Sequence, residues 1–320
     1  MQPEERGVKE MFDVCIFIFG LILYVVLWHL FKSREKADSA AFIVFSVFYL
    51  SICILFLVLF LMPGSAPNPN AKICVSVAPL AYFAERISGQ TPRVMVPPGA
   101  DPHTFDPPPA DLAAIETADM YVKVGHPLFE LEAAWIDKQL ARRSDVAVVD
   151  CSENAALIPD DPHLWLGIPE MKNMALKLAD TLAKLDPLNA ESYRKNAEKV
   201  VSELDALRSE ISVIFSKSNR RKFLVYHPAF GYFARDFGLE QISVEKEGKE
   251  PGPRDIEDAV NIAKAEGIKT IFAQAQTDPR SAEAVAREIG GRVVQLDPLA
   301  SDWPENMRRI AVAIAEALNE

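Results

Sequence analysis

"NAESYRKNAEKVVSELDALRSEISVIFSKS", residues 189–218, holds neither proline nor glycine, and its reading decides how the rest of the chain is arranged. Apolar residues fall at Tyr193, Ala197, Val200, Leu204, Leu207, Ile211 and Ile214, in steps of four and three. Side chains at that spacing share one face of an α-helix. The stretch therefore predicts a single amphipathic helix about 40 Å long at 1.5 Å per residue. The same spacing fits a coiled-coil seam, but the flanking sequence favours a strut lying against a folded lobe at each end.

Both flanks alternate strand and helix signals. Before the helix, "KICVSVAP" (72–79), "RVMVPP" (93–98), "MYVKVG" (120–125) and "VAVVDCS" (146–152) are short β-branched runs, with "PADLAAIETA" (109–118) and "LFELEAAWIDKQLA" (128–141) at helical spacing between them. After it come strands "KFLVYHPA" (222–229), "ISVEKEG" (242–248), "KTIFAQAQ" (269–276) and "RVVQLDPL" (292–299), with helices at 254–267 and 280–290. Gly267 and Gly290 stand where a helix C-terminus calls for a left-handed residue. Alternation of this kind implies parallel sheets covered on both faces. The expected fold class is α/β: an N-terminal lobe over 72–169, a helical segment over 170–219 that contains the linking helix 189–218, and a C-terminal lobe over 220–320.

The first 62 residues differ in kind. Residues 14–31 and 40–62 are each apolar enough and long enough to cross a bilayer as a helix. Lys32, Arg34 and Lys36 lie in the short loop between them, and no Lys or Arg follows the second span until Lys72. The positive-inside rule then puts the loop in the cytoplasm and both chain ends outside. A competing reading takes 40–62 as the apolar part of a secretory signal; its length favours an uncleaved anchor. Residues 63–71 read as a tether. The bulk of the protein is expected outside the cytoplasm on either reading, attached to the cell membrane on the first.

With 34 basic against 45 acidic residues the chain carries a formal charge of −11, which argues against nucleic acid as a partner. Cys15 and Cys53 fall in the apolar spans; Cys74 and Cys151 read as separate buried thiols rather than a disulfide, and no Cys-x-x-Cys spacing exists.

Five histidines remain to be placed. Asp-Pro-His occurs at 101–103, within "PPGADPHTFDPPPADL", and again at 161–163, within "DDPHLWLG". His227 and Asp297 end the strands "RKFLVY" and "RVVQL". All four residues thus lie at or beyond the carboxyl ends of expected parallel strands, the edge where open α/β sheets hold ligands. Two come from each lobe, which puts a candidate site in the cleft between them. Three neutral imidazoles and a carboxylate suit tetrahedral Zn²⁺, and with a second carboxylate oxygen they also hold Mn²⁺ or Fe²⁺. Single loop histidines are mostly solvated or turn-forming, and only the joint placement lifts these above that. His126, in "VGHPLFE", lacks a partner and is assigned to packing or a rim; His29 is assigned to a membrane interface.

From about 72 to 320 the chain resembles the solute-binding proteins of zinc and manganese ABC importers, the ZnuA/TroA-like type. The resemblance rests on "PPGADPHTFDPPPADLAAIETADMYVKVG", "DPHLWL", "FLVYHPAFGYFARDFGL" and "VVQLDPL", in that order. It implies metal ligation by His103, His163, His227 and Asp297 in a cleft between lobes joined by a rigid helix. It also implies a permease with a cytoplasmic ATPase as partner, and no enzymatic activity. The sequence departs from the family at three places: no His-rich loop precedes His163, Gly167-Ile168-Pro169 alters the turn after "DPHLWL", and Gln274 stands where relatives commonly have an acidic residue. A third histidine at 227, where manganese-type relatives tend to carry glutamate, favours Zn²⁺ over Mn²⁺ as the cargo. The readings from other classes are a zinc-dependent hydrolase, against which four protein ligands and the lack of a His-Glu-x-x-His motif argue, a binding protein for a metal chelate, and an adhesive module.

Overall fold

The computed structural model describes residues 71–246 and 250–320. The spans expected at 14–31 and 40–62, and nearly all of the tether, lie outside the described residues. Among the described residues no helix is long and apolar enough to cross a membrane.

Each expected strand run meets a strand, though the sixth, expected over 242–248, starts two residues earlier and ends at Ser243. In the first lobe β1 (Ile73–Val75), β2 (Arg93–Val94), β3 (Met120–Lys123) and β4 (Ala147–Asp150) make a parallel sheet in the order β2-β1-β3-β4. In the second, β5 (Lys222–Val225), β6 (Glu240–Ser243), β7 (Thr270–Gln274) and β8 (Arg292–Leu296) repeat the same order as β6-β5-β7-β8, again all parallel. Helices fill the crossovers, as parallel neighbours require: α1 (Ala78–Ser88), α2 (Pro109–Ile115) and α3 (Asp137–Leu140) in the first lobe, and α6 (Gly231–Asp236), α7 (Pro253–Glu266) and α8 (Arg280–Glu288) in the second. Gly267 and Gly290 take φ of +68° and +63°, as their positions required.

Between the lobes stand α4 (Ile168–Leu185) and α5 (Ala190–Ser216), and the chain closes with α9 (Trp303–Leu318). Helix α5 is the 27-residue strut, packed on α4, on α1 of the first lobe and on α9 beside the second. Its buried stripe follows the sequence spacing from Tyr193 to Ile211 and then ends on Phe215, not Ile214. The step of four puts Phe215 against Phe233 and Phe237 of the second lobe, at ring-centroid distances of 6.0 and 5.8 Å.

One segment departs from its expected form. The run 128–141 does not wind as a plain α-helix: Glu132–Ile136 makes a π-turn before α3 begins. The cause lies in Glu132, whose buried carboxylate reaches back to accept the backbone N–H groups of Val124 (2.6 Å) and Gly125 (2.8 Å) and the hydroxyl of Ser76. Such turns insert one residue into the helical ladder, here in favour of tying the end of β3 to the helix that follows.

The larger cluster of buried apolar residues takes in both lobes, running from Ile73 through α4 and α5 to Leu318, and a smaller one, Leu224 to Ala286, lies within the second lobe under α7 and α8. Two tryptophans close the larger one at the seam. Trp165 Nε1 donates to Pro298 O (2.7 Å) and Trp303 Nε1 donates to Trp165 O (2.6 Å), so each lobe offers a carbonyl to an indole beside the other. Cys74 and Cys151 are separate buried thiols; burial raises the Cys74 thiol to about 11, which leaves it inert.

Candidate metal centre

The ladder hydrogen bonds run on past the strand ends and aim the loops. Met95 and Val96 still pair with Val75 and Ser76, which carries the loop after β2 toward the carboxyl edge of the first sheet. There Ala100 N donates to Pro97 O and Thr104 N to Asp101 O, a double turn that presents His103. Beyond β4, Asp161 N donates to Ile158 O and Leu164 N to Pro162 O, presenting His163 at the head of a short 3₁₀ turn, Leu164–Leu166. In the second lobe, Tyr226 N bonds Phe272 O just before His227.

The repeated tripeptide repeats its geometry. Asp101 Oδ1 accepts the backbone N–H of His103 (3.0 Å), and Asp161 Oδ1 accepts that of His163 (2.9 Å). An aspartate two residues ahead closes such a local turn readily, and the intervening proline fixes the backbone between them.

Three imidazoles converge. One nitrogen from each of His103, His163 and His227 lies within 4.8 Å of the others, and the ring centroids are 5.1 to 5.3 Å apart. His103 Nε2 and His163 Nε2 are separated by 3.3 Å. Two Zn–N bonds of about 2.0–2.1 Å at the tetrahedral angle span roughly 3.3–3.4 Å, the same edge. The far nitrogens are held by carboxylates: His163 Nδ1 by Asp161 Oδ1 at 2.7 Å, His227 Nδ1 by Glu245 Oε2 at 2.6 Å. A carboxylate on Nδ1 keeps the proton there and leaves the Nε2 lone pair facing inward, the arrangement of metal-bound histidines. His227 Nε2 is buried and has no hydrogen-bond partner. Leaving such a group unpaired costs about 1–3 kcal/mol, a cost that a cation at this point removes.

Charge state agrees with geometry. Burial, and then the neighbouring imidazoles of His163 and His227, lower His103 to about 4. Burial also lowers His163, against the pull of Asp161. Both rings are therefore neutral at pH 7 and able to act as ligands.

Asp297 lies outside the group that the three histidines form. Its Oδ1 accepts from Gln276 Nε2 (2.6 Å) and Leu299 N (2.8 Å), while its backbone carbonyl accepts from Asn306 Nδ2 (2.7 Å). The residue borders a cavity of about 340 Å³ between the lobes, whose opposite wall is Pro97, Pro98 and Gly99, the start of the His103 loop. His126 is a structural residue: Leu128 N donates to its Nδ1 and its Nε2 donates to Ile158 O, so both nitrogens are occupied. Gln274 is buried at the end of β7.

Asp161, Glu245 and Gln276 were not singled out from the sequence. Asp161 could have been, since it sits two residues ahead of its histidine in both copies of the tripeptide. Glu245 left no local signal; it is 18 residues from His227 and arrives only because Glu245 N pairs with Tyr226 O as the β5–β6 ladder continues.

Two parallel sheets in the same strand order, braced by one long helix and with three imidazoles gathered between them, define a bilobal binding protein whose lobes are joined by a helix. The chain belongs to the family described as "Zinc-uptake complex component A periplasmic", which matches residues 73–317. Membership places it among solute-binding proteins and not among enzymes. It is 30% identical over 259 residues to a "Putative metal-binding protein" of Chlamydia muridarum, covering 79% of this chain and 94% of the relative. Over another 259 residues it is 25% identical to the "High-affinity zinc uptake system protein ZnuA" of Bacillus subtilis, covering 74% of this chain and 81% of the relative. A crystal structure of ZnuA superposes with a TM-score of 0.73 at 38% identity, over 78% of this chain and 99% of that one.

Proposed function

We propose that this protein captures Zn²⁺ in the cleft and hands it to an ABC importer, a permease with its cytoplasmic ATPase. The observation that carries the reading is the convergence of His103, His163 and His227, with a buried His227 Nε2 that has no partner within the protein. Family membership supports the transport role. The three imidazoles replace water around the ion without chemical change in it, and Asp297 supplies a carboxylate oxygen as the fourth ligand. A nitrogen-rich set favours Zn²⁺; Mn²⁺ is the weaker cargo at the same place. The spans at 14–31 and 40–62 anchor the protein, with residues 72–320 outside the cytoplasm and 63–71 as the tether.

Titrating the full-length chain in detergent with Zn²⁺ and with Mn²⁺ tests this. Zn²⁺ is expected to bind more tightly, and the double variant His103→Ala/His163→Ala is expected to lose far more than tenfold in affinity. A loss below tenfold would count against the histidine cluster as the binding site.

A further inference from the structure

The seam between the lobes is stitched by polar contacts along one stretch and opens on a cavity along another. On the stitched side, Glu170 at the start of α4 and Arg235 and Asp236 of α6 form an ion cluster in which the carboxylates are buried and the guanidinium is 32% exposed. Arg235 Nη2 donates to Glu170 Oε2 (2.6 Å) and to Asp236 Oδ1 (2.7 Å), and Nη1 donates to Ala156 O (3.2 Å). Both carboxylates are only 3% exposed. Asp236 Oδ2 in turn accepts Ile168 N (2.8 Å) and Tyr232 OH accepts Ile158 N (2.9 Å), while the Arg235 guanidinium lies 4.9 Å from the Tyr232 ring centroid. Gly167 makes the cluster possible: a Cβ there would stand 2.1 Å from Glu170 Oε2.

These contacts bind the segment carrying His163 to the segment that follows His227. Asp161 adds a link at the centre itself, with Oδ1 on His163 and Oδ2 on Gly231 N (2.9 Å). Asp297 is fixed to the same body, because its neighbour Pro298 accepts from Trp165. The His103 loop differs, since Pro97, Pro98 and Gly99 face the other lobe across the 340 Å³ cavity.

We propose that Glu170, Arg235 and Asp236 are an interlobe latch that keeps His163 and His227 in register, so that the His103 loop is the part that moves when the ion enters or leaves. Arg235 is thus a positioning residue that acts on both histidines without touching the ion. The guanidinium fork suits this task, since one side chain reaches two carboxylates and a carbonyl at once. Removing the guanidinium leaves two buried carboxylates without their cation, whereas removing Glu170 and Arg235 together does less harm than the sum of the two.

The inference rests on the zinc reading, and zinc binding by the wild-type chain, measured first, separates the two. The full-length chain and its variants Glu170→Gln, Arg235→Gln and the double variant are loaded with Zn²⁺, and release to a chelator is timed. Each single variant is expected to release zinc more than fivefold faster, with the double variant faster by less than the product of the two. Release within fivefold of wild type from variants with intact circular dichroism, or a strictly multiplicative double variant, would overturn the latch. A second measurement needs no variant: amide hydrogen exchange of the wild-type chain with and without Zn²⁺. Zinc is expected to slow exchange in 99–104 by more than tenfold and to leave 164–168 and 231–236 within threefold. Equal protection of all three segments would overturn the division into fixed and moving parts.

Discussion

A histidine is readied for a metal when its second nitrogen is committed elsewhere, and for His163 and His227 that commitment is made by Asp161 and Glu245. Glu245→Gln tests how much that matters. An amide can present its nitrogen to His227 Nδ1 and so permit the tautomer whose proton points into the centre; the Zn²⁺ affinity is expected to fall by about 10–100-fold, with the fold unchanged. Affinity within threefold of wild type, by chelator competition, would show that the carboxylate does not set the tautomer. At this scale the sequence was legible where chemistry is local. His103 and His163 announced themselves through a shared tripeptide, and the prolines beside them marked fixed backbone. Glu245 was illegible, because two parallel strands and the ladder beyond them have to form before it meets His227. Asp297 was legible as a strand-end carboxylate, though its partner Gln276, two residues beyond β7, was not.

Among the elements, the strut and all eight strands could be read from periodicity and β-branched runs, since each buries one face or two along its own length. The π-turn at Glu132–Ile136 could not, because the residue that causes it answers to Ser76, Val124 and Gly125 on other strands and loops. Burial raises the Glu132 carboxyl to about 7, against the hydrogen bonds that favour its charge. The folded state therefore holds a proton there that the unfolded chain loses near pH 4.5. By linkage the contribution of Glu132 to stability is fully present below about pH 4.5 and declines as pH rises through 7, by an amount on the order of 3 kcal/mol. Denaturant unfolding of wild type and Glu132→Gln at pH 5 and pH 8 should show the wild-type advantage shrinking as the pH goes up. An advantage that grew with pH would mean that the hydrogen bonds outweigh burial. Gly125 is the companion test. It holds φ at +81°, and a Cβ would lie 1.8 Å from Asp150 Oδ1, so Gly125→Ala is expected to cost more than about 2 kcal/mol; a loss under 0.5 kcal/mol would show that the loop relaxes freely.

On the scale of the whole molecule, the strut and the seam settle how the lobes relate. Ion pairs along α5, among them Arg86 with Glu203 and Arg308 with Glu210, are half-exposed and contribute little. The buried stripe does the bracing. Leu204→Ala at its middle is expected to cost about 2–5 kcal/mol, read as a lower denaturant midpoint, and a cost under 1 kcal/mol would mean that the strut packs loosely. The sequence showed two lobes and a link between them. It did not show the indole exchange between Trp165 and Trp303, which joins residues 138 apart and exists only after both lobes have folded.

That the larger apolar cluster spans both lobes, from Ile73 to Leu318, has a thermal consequence. The halves of the molecule share their buried surface, so neither can melt while the other stays intact. Heating the metal-free chain in a calorimeter should give the part from residue 71 onward a single endotherm, and a fragment ending before the strut should fail to fold by itself.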